Sequence, residues 1–209
     1  MRVVDLGQVS YEDAVETMKT VLNERISGGV CDTLLICEHD PVYTVGRTRG
    51  AADNILNPAS IPIVPVSRGG DVTFHGPGQI VGYPIFQLPE HRHDLHGFMR
   101  GLEEMMICSL GRLGVAACRD PRNTGVWVDG KKIMAIGISA RRWVTWHGFA
   151  LNHTVDLDHY SRINPCGMSS ELVTRLSDHL DPVPSPDATK EIIVDELSKW
   201  WTAWTAPAG

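Results

Sequence analysis

The order of two periodicities along the chain constrains the fold most. Apolar positions at helical spacing occur near both ends and once in the middle, and strand-like runs adjoin one another between them. That order excludes a regular βαβ alternation and predicts an α+β fold. The first helical pattern opens at Ser10-Tyr11-Glu12-Asp13, carries Ala14, Met18, Val21, Leu22 and Ile26 on one face, and stops at Gly28-Gly29. The second follows Asp94, with Leu95, Phe98, Met99, Leu102, Met106, Leu110 and Leu113 as its apolar face and Gly114 as its stop. Helices are also expected over about 169–180 and 187–201, separated by a Pro-rich turn. Strands are expected at 33–38, 41–47, 124–128, 132–139 and 148–152, with Asp129-Gly130 as a hairpin turn. Two or three more fall within 61–90, between turns at Gly69-Gly70 and Gly76-Pro77-Gly78.

Composition narrows the classes further. The chain has 209 residues, 43% hydrophobic and 21% charged, enough for one core, and 1–209 is expected to be a single domain with 205–209 as a mobile tail. The longest apolar run is too short to span a membrane, and the first residues lack a secretory signal pattern. The five cysteines Cys31, Cys37, Cys108, Cys118 and Cys166 form no C-x-x-C pair. These features lead us to expect a cytoplasmic protein with free thiols. The net charge of −6 argues against nucleic acid or an anionic membrane as partner.

Three stretches can carry chemistry. Arg68-Gly69-Gly70-Asp71-Val72-Thr73-Phe74-His75-Gly76-Pro77-Gly78-Gln79 combines glycines that admit close backbone approach with polar side chains that partly share one strand face. It reads as a ligand-binding wall or as an ordinary hairpin, and it fits neither a P-loop nor a dinucleotide fingerprint. Cys166 lies in a Pro- and Gly-flanked loop ahead of an expected helix, whose N-terminus would favour the thiolate. Cys37 and Cys108 read as buried apolar cysteines instead. A nucleophilic thiol needs a partner that handles protons. His75, His147 and His153 are candidates, and so is a lysine of the Lys131-Lys132 pair entering an apolar strand. The cluster His91-Arg92-His93-Asp94-Leu95-His96 lacks metal-site spacing and reads as a polar loop with a helix cap, so no metal is expected. Trp200, Trp201 and Trp204 read as helix packing.

The stretch 68–79 with Ile80-Val81-Gly82-Tyr83-Pro84 resembles the signature of the lipoyl(octanoyl) transferases. Pro41-Val42-Tyr43-Thr44-Val45-Gly46-Arg47, Gly125-Val126-Trp127, Lys132-Ile133-Met134-Ala135-Ile136-Gly137, His147-Gly148-Phe149-Ala150-Leu151-Asn152 and Pro165-Cys166-Gly167 are similar to that family's motifs and stand in its order. The resemblance implies a mixed sheet with flanking helices, as in the catalytic domains of biotin protein ligases and lipoate-protein ligases. It implies transfer of an octanoyl group from the phosphopantetheine of acyl carrier protein to a lysine of a lipoyl domain. The acceptors would be 2-oxoacid dehydrogenase complexes or the glycine-cleavage H protein, and no cofactor is implied. By the same resemblance Cys166 is the nucleophile and Lys132 its acid/base partner. The acyl pocket is then lined by Arg68, Gly69, Gly70, Asp71, Val72, Thr73, Phe74, His75, Ala135, Ile136, Gly137, Gly148, Phe149 and Ala150. Position 135 is often serine in the family, so Ala135 removes a hydroxyl. An acidic carrier docking on an acidic chain requires a local basic patch, for which Arg47, Arg49, Arg141 and Arg142 are candidates. An ATP-dependent lipoate or biotin ligase would need a nucleotide loop and no Cys166. A non-catalytic acyl-binding module could lose both Cys166 and Lys132.

Overall fold

The structure, a computed structural model, describes residues 1–207, with the side chain of Cys166 excepted. Strands β1 (Arg2–Val9), β2 (Thr33–His39), β6 (Gln79–Ile85), β10 (Val144–Asn152), β9 (Lys131–Arg141), β8 (Asn123–Val128) and β7 (Cys118–Asp120) form a seven-stranded sheet in that spatial order. β1 and β2 run parallel and the other neighbours antiparallel, so the sheet is mixed. A second, three-stranded sheet pairs β3 (Val42–Val45) with β4 (Ile63–Pro65) and β5 (Val72–His75).

Helices α2 (Leu95–Arg112) and α3 (Pro186–Thr205) cover one face of the large sheet. Phe98, Leu102, Met106 and Leu110 reach the core there with Leu34, Ile80, Phe149 and Leu151. Trp200, Trp201 and Trp204 of α3 gather around Phe98, as the packing reading expects. Helix α1 (Tyr11–Ile26) packs on the opposite face, where Ala14, Met18 and Leu22 meet Leu35, Val81 and Ala150. Ser10 accepts a hydrogen bond from the Asp13 amide at 3.1 Å and so caps α1. The Gly76-Pro77-Gly78 turn carries the chain from the small sheet into the large one, with Gly78 at φ +82°.

Several expectations need correction. Residues 169–180 hold only short 3-10 turns, Ser170–Leu172 and Leu176–Asp178, and no α-helix. The segment instead closes over the small sheet, burying Val173 beside Tyr43 and Phe74. Of the expected tail, Thr205 is the last residue of α3, and Ala208 and Gly209 lie outside the described residues. Cys108 is exposed on α2, whereas Cys37 is buried as expected. Strands β1 and β7 had no clear signal, because both lie at sheet edges where most of their residues face solvent.

Candidate active site

A cavity of about 790 Å³, including open space at its mouth, lies between the two sheets. Its floor is the α1 face of β6, β9 and β10. In the register Ala135 lies opposite Ala150 and Gly137 opposite Gly148, while Val81 flanks Ala150 on the other side. This block of small residues leaves a trough that larger side chains would fill. The glycines act by different contacts. A Cβ on Gly137 would stand 2.8 Å from Arg68 Cδ, so its absence lets the Arg68 stem lie flat on the sheet. A Cβ on Gly148 would overlap the β6 backbone at Gly82 O, so its absence lets two strands approach.

The wall comes from the loop and strand 68–75. Arg68 is buried and donates to Thr44 O at 3.0 Å, Thr44 Oγ1 at 2.9 Å and Gly69 O at 3.0 Å. Asp71 accepts from Asn54 Nδ2 at 2.8 Å and from the Val72 amide. Gln79 donates to Asn152 Oδ1 and Phe74 O, so its Oε1 turns to His75 and accepts from Nδ1 at 2.7 Å. The far end is closed by Tyr11, stacked on His75 at 6.1 Å, and by Tyr83, whose hydroxyl lies 2.7 Å from His39 Nε2.

Lys132 lies at the other end of the trough. Regular alternation would place it on the same face as Met134, inside the α2 core. The strand avoids this with a bulge: Val126 pairs with Met134 and Trp127 with Lys132, so one step on β8 spans two on β9. Ile133 and Met134 both enter the same core, and Lys132 emerges on the Ala135 face. Gly125, at φ +137°, makes room for it, since a Cβ there would meet Met134 O at 2.4 Å and Lys132 Cε at 2.7 Å. Lys132 Nζ donates to Asn123 Oδ1 at 2.7 Å and sits 5.6 Å from the Trp127 ring centre.

Cys166 occupies the 3-10 turn Pro165–Gly167. Its thiol lies outside the described residues, but Pro165 and Met168 on either side line the cavity together with Lys132. The loop is held at both ends. The Asn164 amide donates to Asn54 O at 2.8 Å, and the Thr174 amide donates to Lys132 O at 3.0 Å. The segment directly after Cys166 holds only 3-10 turns, and the next α-helix begins at Pro186, so the expected dipole contribution to thiolate stability is withdrawn.

Of the expected pocket residues, Arg68, Gly70, Asp71, Val72, Thr73, His75, Ala135, Ile136, Gly137, Gly148, Phe149 and Ala150 line the cavity. Gly69 faces an adjoining groove, and Phe74 points into the core under the small sheet. His75 and His147 line the cavity as neutral rings. Burial pushes both down to about 3, helped by nearby His39 for His75 and by Arg68 and Arg47 for His147. Neither ring is protonated near neutral pH. His153 packs against Thr189, away from the cavity, and burial lowers it too. Sequence reasoning missed Tyr11, Tyr160 and Asn123. Tyr11 reads as a first-turn helix residue and Tyr160 as a loop residue, so neither carried a signal. Asn123 adjoins Thr124-Gly125 and could have been found as the polar residue facing Lys132 across a hairpin.

His91, His93 and His96 are all exposed, and His93 stacks flat on Trp143 at 4.2 Å. No helix among the described residues is long and apolar enough to cross a membrane.

Comparison with known proteins adds independent findings. Residues 10–198 match the family described as the lipoyl protein ligase A/B catalytic domain. An octanoyltransferase of Geobacter metallireducens is 46% identical over 193 residues, 92% of this chain and 90% of the relative. An octanoyltransferase of Pelobacter propionicus is 43% identical, covering 98% of this chain and 97% of the relative. The bi-partite lipoate protein ligase of Thermoplasma acidophilum aligns with TM-score 0.70 at 18% identity, over 96% of this chain and 83% of its own. The biotin protein ligase of Aquifex aeolicus, in complex with biotin and ATP, aligns with TM-score 0.63 at 10% identity, over 98% and 72%. These two likenesses establish the fold.

Proposed function

The chain belongs to the lipoyl protein ligase A/B catalytic-domain family and is an octanoyl-transferring acyltransferase of protein lipoylation, and on that premise we propose its donor, acceptor and mechanism. The donor is octanoyl-acyl carrier protein. The acceptor is a lysine on a lipoyl domain of a 2-oxoacid dehydrogenase complex or on the glycine-cleavage H protein. The carrying observation is a blind trough, floored by small residues, with Lys132 and the Pro165–Gly167 turn at one end. An extended acyl chain fits such a trough, and each buried methylene contributes about 0.8 kcal/mol.

In the first step the Cys166 thiolate attacks the donor carbonyl. The new C–S bond forms, the bond to the pantetheine sulfur breaks, and the Lys132 ammonium protonates the departing thiolate. In the second step the acceptor amine attacks the octanoyl-Cys166 thioester. The now neutral Lys132 takes a proton from the attacking nitrogen, and Cys166 leaves as thiolate. Asn123 holds the ammonium of Lys132 at its station. The donor is already activated, so the reaction needs no nucleotide, metal or cofactor, and it belongs in the reducing cytoplasm.

Intact-protein mass spectrometry with octanoyl-acyl carrier protein and no ATP tests this reading. The expected result is one octanoyl adduct on the wild type, none on Cys166→Ser, and discharge of the adduct by an apo lipoyl domain. Transfer only from free octanoate with ATP would overturn it in favour of an ATP-dependent ligase.

A further inference from the structure

A second groove, of about 830 Å³ of open space, opens off the acyl trough and shares Gly70, Asp71, Ile136 and Gly137 with it. It follows a stretch of β9 that β8 leaves uncovered. Residue pairing between β8 and β9 ends at Met134, while β9 continues to Arg141. In a strand the N–H and C=O of one residue point to the same edge, and alternate residues point to opposite edges. The Ile138 carbonyl accepts from the Gly69 amide at 3.3 Å, so Ile138 and Ile136 both turn their backbone groups toward this edge. Apart from the Gly69 bond, no backbone hydrogen bond from outside the strands reaches Ile136 or Ile138 among the described residues. Met99 and Ile138 give the groove an apolar side, Asn123 and Thr124 a polar one, and Thr48 also lines it, flanked by the exposed Arg47 and Arg49.

We propose that this groove holds the pantetheine arm of the acyl donor, laid along the open edge of β9 as a substitute strand. A pantetheine chain carries two amides, which suits the backbone groups of Ile136. Its sulfur would reach the junction at Gly70 and Asp71, where groove and trough meet. The phosphodiester would sit at the Thr48 end, beside Arg47 and Arg49. This assignment rests on the donor reading above and adds the route by which the donor approaches.

The test compares acylation by octanoyl-phosphopantetheine, octanoyl-pantetheine and S-octanoyl-2-mercaptoethanol, which lacks the arm. Thr124→Trp fills the groove without touching the trough. The variant should lower kcat/KM for both pantetheine donors by about tenfold or more, the effect of losing one or two hydrogen bonds. The rate with the armless donor should stay within about twofold of wild type, which also reports correct folding. Arg47→Ala with Arg49→Ala should penalise only the phosphorylated donor. Equal effects on all three donors, or none, would overturn the groove while leaving acyl transfer intact. Slowing confined to discharge by the lipoyl domain would also overturn it, by giving the groove to the acceptor. No adduct from any donor on the wild type would remove the acyl-transfer reading and this one with it.

Discussion

At the residue scale the cavity holds two histidines that are kept neutral. His75 and His147 are buried next to cationic or aromatic neighbours and stay unprotonated far below neutrality. Their folded-state values lie near 3, below the ordinary histidine value of 6.5. The unfolded chain therefore binds more protons than the native one between about pH 6.5 and 3, and stability falls as pH drops through that window. Each ring contributes up to about 1.4 kcal/mol per pH unit there. Chemical denaturation of His147→Gln should show a shallower loss between pH 6.5 and 4 than the wild type. The role proposed for Lys132 is the opposite, to give up and regain a proton. Lys132→Arg keeps the charge but cannot release a proton near neutrality. It should still form the octanoyl adduct, while discharge to a lipoyl domain slows by about a hundredfold or more. Discharge at the wild-type rate would remove Lys132 from the base role. The wall at 68–79 was legible from its glycines and polar side chains, and the small residues of the floor only through the family resemblance. The charge states were not, since burial and neighbours set them.

At the element scale the decisive device is the bulge in β9. From the sequence, 132–139 reads as a plain strand, and its alternation would bury Lys132 with Met134. The skipped step at Ile133 depends on how β8 pairs, which no local pattern announces. Gly125 is the visible half of the arrangement, and its role appears only once Lys132 is seen to pass the site of its missing Cβ. Gly125→Ala should lower kcat much more than it raises KM, with a stability loss of about 1–3 kcal/mol from crowding. Steady-state kinetics beside a denaturant melt would check both. The segment 169–180 misled for a related reason. Its apolar residues are spaced so that a helix would suit them, but Val173 and Leu176 are spent on two different cores.

At the scale of the whole molecule, the run of adjoining strands and the helices near the two ends and in the middle followed from the sequence pattern, while the division of the strands into two sheets and their meeting around one trough did not. Arg47, Arg49, Arg141 and Arg142 are all exposed, on a chain whose net charge is −6. An acidic carrier must find a local positive field against that background. Reversing all four charges should raise KM for octanoyl-acyl carrier protein and remove its salt dependence, with kcat little changed. Unchanged KM would place the docking face elsewhere.

The loop bearing Cys166 is tied directly to the strand bearing Lys132, through the Thr174 amide and the Lys132 carbonyl. The proposed nucleophile and base thus ride on one beam instead of facing each other across a hinge. A tie of this kind couples the movement of the loop to that of the strand. Activity should then follow the melting curve of the protein closely, holding its rise with temperature until the beam itself gives way.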